Sequence, residues 1–184
     1  MNMIRSIFII GIAFCIFVSI GLTENKTSSS FVDKFAGGVL VGEDKIEKVI
    51  QIYGQDFTQQ HFHGETLCYF DPQKLIYLSY SIYDGVVQSV ILSKTQDKEI
   101  AEECRKQNIK SEYLITGKGI QLGDSKEKVI HAYGKPEKEE IKNGVDIFEY
   151  HTDYEKDAGV ALFYDAYLYF KANKLMKLVI HDGE

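Results

Sequence analysis

The feature that most constrains the fold is a block of eleven residues that occurs twice. Residues 44–54 read DKIEKVIQIYG and residues 124–134 read DSKEKVIHAYG, so that seven of the eleven positions are identical. A glycine, Gly42 or Gly123, stands shortly before each block. A match of this density at one spacing is the mark of an internal repeat. We therefore interpret the chain as two diverged copies of one module.

Each block has the pattern of a short helix. The apolar residues of the first block recur with helical spacing and form one stripe: Ile46, Val49, Ile50 and Tyr53. An aspartate followed three residues later by glutamate is the capping-box pattern, which predicts Asp44 and Asp124 as N-caps. Gly54 and Gly134 stand where a left-handed C-cap is needed. A helix this short is unstable alone, so it must pack on a partner surface.

Predicted strands follow each block and supply that surface. Three follow the first block and three follow the second: 66–71, 75–83 and 86–92, then 145–151, 160–170 and 174–181. Asp84-Gly85 is a strong two-residue hairpin turn. The pattern predicts an α+β fold of two tandem modules, each a short helical layer packed on an antiparallel sheet. A helix over 96–108 is predicted to link them.

Alternation along the strands leaves aromatic rings on the face of the sheet that points away from the helices. These rings are the candidate partner-binding residues: Tyr77, Tyr83, Phe163, Tyr167 and Tyr169. Tyrosine combines a large rigid contact area with a polar tip and is enriched at binding hot spots. The alternative is structural, with the rings filling a second layer between the modules or under the linker helix.

The N-terminus has the layout of an export signal. Arg5 precedes the uncharged, mostly apolar run 6–22, and Ser19-Ile20-Gly21 offers a cleavage site. The alternative is an uncleaved anchor helix, because about 20 apolar residues span a bilayer. Both place the body of the chain outside the cytoplasm, as a periplasmic, secreted or membrane-anchored protein. Only residues 6–22, if uncleaved, would contact the membrane.

These patterns divide the chain into four parts. Residues 1–22 form the signal peptide or anchor, and residues 23–36 form a tether. Residues 37–111 form the first helix-plus-sheet module with its linker helix. Residues 112–184 form the second module.

Composition argues against several classes of function. The net charge is -6, and no basic stripe is interleaved with aromatics, so nucleic-acid binding is not expected. No serine lies in a nucleophile elbow, and no glycine loop has the residues that cradle a phosphate. We therefore predict a non-enzymatic protein without a cofactor. Cys68 and Cys104 could form one disulfide in an oxidising compartment, or remain two buried thiols.

His61 and His63 form the only close histidine pair in the sequence. Alternate residues of a strand share a face, so the two imidazoles could bind a metal with a third ligand such as His151. Their polar surroundings favour two solvent-exposed loop histidines, and we assign no metal site. The acidic run Asp153, Glu155 and Asp157 lacks the glycine and the distant glutamate of a calcium loop.

The second block and its neighbours resemble a known motif. The motif consists of an aliphatic residue, a Gly-Asp-Ser turn, a Val-Ile pair and a Tyr-Gly-x-Pro end, in that order. In this chain its residues are Ile120, Gly123, Asp124, Ser125, Val129, Ile130, Tyr133, Gly134 and Pro136. This pattern resembles the beta-lactamase-inhibitor-protein-like superfamily, which includes the small outer-membrane-assembly lipoproteins of the SmpA/OmlA type. The resemblance implies a helical layer on an antiparallel sheet and a shared concave sheet face for tandem copies. It also implies a non-enzymatic bacterial protein that acts outside the cytoplasm by binding proteins.

The chain departs from both groups. The assembly lipoproteins have one copy and a lipid-bearing cysteine, whereas this chain has two copies and no usable lipidation signal. The inhibitor has a disulfide in each domain and tryptophans on its concave face, whereas this chain has no Trp. The expected function is a protein-binding or scaffold module of the bacterial envelope. The alternatives are an inhibitor of a secreted or periplasmic enzyme and a small metal-dependent hydrolase that uses His61 and His63.

Overall fold

The computed structural model describes residues 33–54, 58–61, 64–95, 103–156 and 160–183. The predicted signal peptide or anchor and most of the predicted tether lie outside these residues, as does His63. No helix in the described ranges is long and apolar enough to cross a membrane.

One large sheet dominates the fold. A small hairpin, β1 (Phe35–Ala36) and β2 (Val39–Leu40), precedes it. The strands of the large sheet are β3 (Thr58–His61), β4 (Gly64–Asp71), β5 (Ile76–Tyr83), β6 (Val86–Lys94), β7 (Arg105–Lys106), β8 (Lys138–Lys142), β9 (Val145–Lys156), β10 (Val160–Lys171) and β11 (Lys174–Gly183). They are ordered β3-β4-β5-β6-β11-β10-β9-β8, and β7 lies beside β4. The pairings are antiparallel except that of β7 with β4, which is parallel.

Two short helices cover one face of this sheet, which confirms the predicted α+β fold. Helix α1 spans Ile46–Tyr53, helix α2 spans Lys126–Tyr133, and a 3-10 turn spans Ser111–Leu114. Val49 and Val129 are fully buried in one core together with the inward-facing residues of the strands, including Leu78, Tyr80, Leu168 and Phe170. Over the second half, the other face of the sheet carries no helix in the described part of the chain. Over the first half, the helical residue Glu103 lies beside Cys68 on that face.

The same order of elements occurs in residues 33–95 and in residues 111–183, here called the first half and the second half. Each half has a turn-forming hairpin segment, a helix and four sheet strands. Each has a bulge at a corresponding place, after Ser81 in β5 and after Tyr169 in β10. The halves meet where β6 pairs with β11, over five residue pairs centred on Ile91 and Val179. The two halves therefore contribute to one continuous sheet.

The N-caps predicted for the two helices are wrong by one residue. The caps are Lys45 and Ser125, and only Ser125 makes a side-chain cap, accepting a hydrogen bond from the Lys128 N–H at 3.4 Å. The Asp44 carboxylate instead accepts bonds from Leu40 N–H and Lys48 Nζ, both at 2.6 Å. The Asp124 carboxylate likewise accepts from Gln121 N–H at 2.9 Å and Lys128 Nζ at 2.8 Å. Each aspartate therefore fixes the turn before its helix.

The turn before each helix is tied to the sheet by backbone hydrogen bonds. Gly42 N–H donates to Val87 O at 2.8 Å, and Val87 N–H donates to Asp44 O at 2.9 Å. The second half has the same pair of bonds, each 2.8 Å long. Gly123 N–H donates to Leu175 O, and Leu175 N–H donates to Asp124 O. The repeated Gly and Asp thus attach each helix to the start of the last strand of its own half.

Glycine ends both helices, as predicted, but not in the left-handed helical conformation. Gly54 and Gly134 both have φ of 83°, with ψ of 166° and -173°. That combination is open almost only to glycine. Each glycine N–H closes its helix by donating to Ile50 O or Ile130 O, at 2.7 and 2.8 Å. The sequence therefore correctly predicted glycine at the end of each helix, but the predicted left-handed backbone conformation of these glycines was wrong.

The predicted linker helix over 96–108 does not extend to its predicted end. Residues 96–102 lie outside the described part of the chain. Beyond them, Arg105–Lys106 form strand β7, which pairs with Tyr69 and Phe70 of β4. The edge of β4 provides backbone hydrogen-bond partners that the end of an isolated helix lacks, and β7 forms hydrogen bonds with them.

Candidate binding surface

The face of the sheet opposite the helices, here called the open face, carries a regular grid of side chains. One row crosses five strands from the first half to the second: Ser79, Ile91, Val179, Tyr167 and Glu149. The next row is Tyr77, Ser93, Lys177, Tyr169 and Ile147. Most of these side chains are half-buried, in contrast to the fully buried residues between them on each strand.

Three of the predicted partner-binding residues lie together on β10. Phe163, Tyr167 and Tyr169 are half-buried and share the open face. The Lys177 ammonium lies 5.1 Å from the centre of the Tyr169 ring, within the range of a cation–π contact. Ile147 lies directly opposite Tyr169 on β9. Tyr167, Tyr169 and Ile147 thus place apolar area close together on the open face.

The other two predicted residues lie elsewhere on the sheet. Tyr77 belongs to a small cluster with Cys68, Phe70 and Cys104, and is therefore partly covered by the chain that enters β7. Tyr83 is 54% exposed at the end of β5, beside the hairpin turn. The five predicted rings are thus divided between three places. On β10, Tyr167 and Tyr169 are consecutive on the open face, and Asp165 separates them from Phe163. Tyr77 fits the structural alternative, in which a ring fills a second layer.

A disulfide joins Cys68 of β4 to Cys104, with the two Cα atoms 5.0 Å apart. Both cysteines are 6% exposed. The bridge fastens the segment before β7 to the open face of the first half. This segment therefore covers part of the open face in the first half, and the uncovered part lies mainly in the second half.

A cleft of about 320 Å³ opens beside the aromatic residues of β10, at the start of β8. Its lining is largely charged: Glu137, Lys138, Glu149, Tyr150, His151, Asp165 and Tyr167. Lys138 Nζ donates to Glu149 Oε1 at 2.9 Å. His151 Nδ1 and Asp165 Oδ1 are 2.7 Å apart, and His151 Nε2 and Asp153 Oδ1 are 2.9 Å apart. We call it the β9 cleft, because β9 contributes three of its residues.

Both ring nitrogens of His151 face a carboxylate, which favours its protonated form. A neutral imidazole can donate from only one nitrogen, so the two bonds are satisfied together only by the imidazolium. The hydrogen bond to Asp165, with a further one to Asp153, accordingly raises the pKa of His151 although burial opposes the shift. In this state neither nitrogen has a lone pair to serve as a general base.

The other residues of the cleft were not singled out from the sequence. Glu149, Asp165 and Lys138 are far apart in the chain, and only the register of β8, β9 and β10 brings them together. The alternation along β10 did place Asp165 on the open face. The missing information was which residue of β9 lies opposite it.

His151 cannot act as the third ligand of a metal at His61 and His63. Strand β3, which contains His61, is separated from β9 by five strands in the sheet order. At about 4.8 Å per strand the two strands lie roughly 29 Å apart. The described residues contain no group of three or more His, Cys, Asp or Glu side chains that could hold a metal ion. His63 and the side chain of His61 lie outside the described part of the structure.

Comparison with known proteins gives little further information. No protein-family model and no curated protein matches the chain. Among solved structures, the chain is similar to a crystal structure of a "putative beta-lactamase inhibitor protein" from Streptococcus mutans, at 14% identity over 83% of this chain and 92% of that chain. The TM-score is 0.28, and a likeness at that level carries no argument about function.

Proposed function

We propose that the chain is a non-enzymatic protein-binding module of the bacterial envelope and that it engages its partner through the open face of its sheet. The observation that carries the proposal is the patch of half-buried rings on β10, on a part of the open face that no described helix covers: Phe163, Tyr167 and Tyr169. Rings on the outer face of an antiparallel sheet expose apolar area that a partner can bury.

Neighbouring side chains enlarge the patch. Ile91 and Val179, which pair across the seam of the two halves, and Ile147 beside Tyr169 are half-buried on the same face. Apolar residues that lie next to aromatic rings, with charged residues around them, reproduce the arrangement of an interface with an apolar centre and a polar rim. In the first half, the disulfide and the segment before β7 cover part of the open face, so the second half offers the larger contact.

Two further parts of the proposal rest on the sequence. The layout of residues 1–22 supports export, which places the open face outside the cytoplasm. The two blocks at 44–54 and 124–134 and the motif resemblance support two tandem copies of a module whose relatives bind proteins. Inhibition of a secreted or periplasmic enzyme is a narrower form of the same proposal, since it would use the same face against one class of partner.

The test is capture of partners from the native envelope by crosslinking. Changing Tyr167→Ala and Tyr169→Ala together should reduce capture of the principal partner at least tenfold, because truncated hot-spot rings each cost about 2 kcal/mol or more. Tyr83→Ala is the matched control, since it removes an equally large ring from a part of the face away from β10. The far-ultraviolet circular dichroism of both variants should match that of the unchanged protein.

The proposal fails if the double variant captures the partner as well as the unchanged protein does. It also fails if Tyr83→Ala lowers capture as much as the double variant, because binding would then not depend on the β10 patch.

A further inference from the structure

The two halves differ at one place along the outer edge of the sheet. In the first half, β3 pairs with residues Gly64 to Leu67 of β4, and β7 pairs with the next stretch, Tyr69 and Phe70. In the second half, β8 pairs with β9 only as far as Glu149. Beyond Glu149, β10 is the one neighbour of β9 among the described strands. The second half therefore has no described counterpart of β7.

Corresponding positions of β4 and β9 can be identified from their contacts. Tyr69 OH donates to Gly54 O at 3.1 Å, and Tyr150 OH donates to Gly134 O at 3.0 Å, so each tyrosine joins its strand to the end of its helix. The ring of Tyr69 packs on Tyr53, and that of Tyr150 packs on Tyr133, with centroids 4.7 and 5.5 Å apart. Tyr69 and Tyr150 are therefore counterparts.

This correspondence relates the β9 cleft to the disulfide. Cys104 packs against Cys68, Phe70 and Tyr77 on the open face of the first half. Cys68 and Phe70 flank Tyr69 in sequence, and Glu149 and His151 flank Tyr150 in the same way. The counterpart of Cys68 is therefore Glu149, and the counterpart of Phe70 is His151. Tyr77 lies opposite Phe70, and Asp165 lies opposite His151, so these two also correspond.

All three counterparts of the residues around Cys104 line the β9 cleft: Glu149, His151 and Asp165. The cleft is thus the second-half equivalent of the space that Cys104 fills in the first half. The apolar lining of that space has been replaced by charged side chains.

The charged residues that line the cleft determine which kind of side chain can bind there. Its lining holds three carboxylates and the Lys138 ammonium, so the cleft is net negative whether or not His151 is protonated. Burial, together with the nearby Asp165 and Glu149, raises the pKa of the Tyr167 hydroxyl, as expected beside negative charge. A positively charged side chain offsets this negative charge and gains a charge-assisted hydrogen bond. An apolar or anionic side chain does neither.

The surroundings also accommodate a strand. In the first half, Gln107 N–H donates to Phe70 O at 2.9 Å, and the Arg105 side chain lies over Gly54. At Gly134, the counterpart of Gly54, no described atom outside the two neighbouring residues lies within 4 Å of the position that a Cβ would take. There is room on this side for the residue that corresponds to Arg105.

We propose that an extended segment of a partner polypeptide pairs in parallel with β9 after Glu149, as β7 pairs with β4, and places a lysine or arginine side chain in the β9 cleft. The inference rests on the proposed function and gives that partner a chemical character. Addition of a strand to a sheet edge supplies backbone affinity, and the pocket beside it supplies specificity.

The probe is a peptide built on the segment that occupies the equivalent place. Residues 103–108 read ECRKQN, and the peptide EKRKQN carries lysine at the position of Cys104. The matched peptide carries norleucine, which is neutral and similar in length, at that position. Each is titrated into ¹⁵N-labelled exported protein purified from the envelope, and amide shifts are followed by NMR.

The lysine peptide should bind at least fivefold more tightly than the norleucine peptide, with its largest shifts at the residues that line the cleft. The combined variant Glu149→Gln and Asp165→Asn should abolish that preference. Glu47→Gln with Glu112→Gln removes the same number of charges from exposed positions outside the cleft, and should preserve it. Equal affinity for the two peptides would overturn the inference, as would shifts confined to other surfaces or to the chain's own N-terminal segment.

Crosslinking capture of the partner from the envelope separates this inference from the proposed function. The variant used is Tyr169→Ala, because Tyr169 does not line the cleft. If the peptides fail to discriminate but Tyr169→Ala still lowers capture, the cleft inference falls and the protein-binding function stands. If the lysine preference is found but Tyr169→Ala leaves capture unchanged, the aromatic patch is not the binding face and the proposed function falls.

Discussion

Replacing Tyr133 with alanine should lower the free energy of unfolding by about 3–5 kcal/mol, the range for removing a buried aromatic ring. Tyr133 is 2% exposed and stands where helix α2 meets the sheet. Its ring packs edge-on against Tyr150, and its hydroxyl donates to Asp33 Oδ2 at 2.9 Å and lies 2.8 Å from Thr116 Oγ1. The variant leaves a cavity and removes a donor from a carboxylate that is itself only 4% exposed.

Two further variants divide this effect into its parts. Tyr133→Phe keeps the ring and removes the hydroxyl, so it should cost about 1–3 kcal/mol, the range for leaving a buried polar group short of a partner. Ile130→Ala, on the same helix but 38% exposed, should cost about 1 kcal/mol or less. Urea unfolding followed by circular dichroism measures all three. A Tyr133→Ala midpoint equal to that of Ile130→Ala would contradict the packing described here.

Removing the disulfide should lower the free energy of unfolding by about 3–4 kcal/mol. Cys68 and Cys104 are separated by 36 positions in sequence, and a cross-link that closes a loop of this size restricts the unfolded chain by about that amount. The measurement compares unfolding midpoints of the protein with those of the variant Cys68→Ala with Cys104→Ala, both carrying Cys15→Ser so that only this bridge responds.

Reductant provides the control for the disulfide prediction. Dithiothreitol should shift the unfolding midpoint of the bridged protein to that of the alanine variant and should leave the variant unchanged. If fully reduced protein unfolds at the same urea concentration as oxidised protein, the bridge does not contribute to stability and the assigned role is wrong.

Local sequence patterns were sufficient to predict the helices and most of the strands. The stripe over 44–54, the terminal glycine and the two-residue turn at Asp84-Gly85 are each decided by residues close in sequence. The strands that were missed carry no apolar alternation. Strand β8 reads KEEIK and is exposed throughout, as suits an edge strand protected by charge. Strand β7 has only two residues, too few for any periodic pattern.

Several errors arose where contacts with residues distant in sequence help to determine the local structure. Asp44 and Asp124 match the capping-box pattern, yet their turns are held by Val87 and Leu175, which are more than forty residues away. The aromatic face was predicted from alternation alone, and that pattern contains no information about the chain that covers Tyr77. Likewise, His151 and Asp165 become partners only through the register of β9 with β10. Contacts of this kind depend on topology, which a repeat motif does not specify.

The functional account depends on the two halves forming one sheet with a common open face, and a cross-strand disulfide tests this directly. Ile91 and Val179 lie opposite each other at the centre of the β6–β11 pairing, where Cα atoms are about 4.5–5.5 Å apart. That spacing allows a disulfide. The variant Ile91→Cys with Val179→Cys, oxidised in the folded state and mapped by mass spectrometry, should contain a 91–179 bridge and keep its circular dichroism spectrum. Folded protein in which both new thiols stay free would show that the halves do not pair there, and the shared binding face would be ruled out.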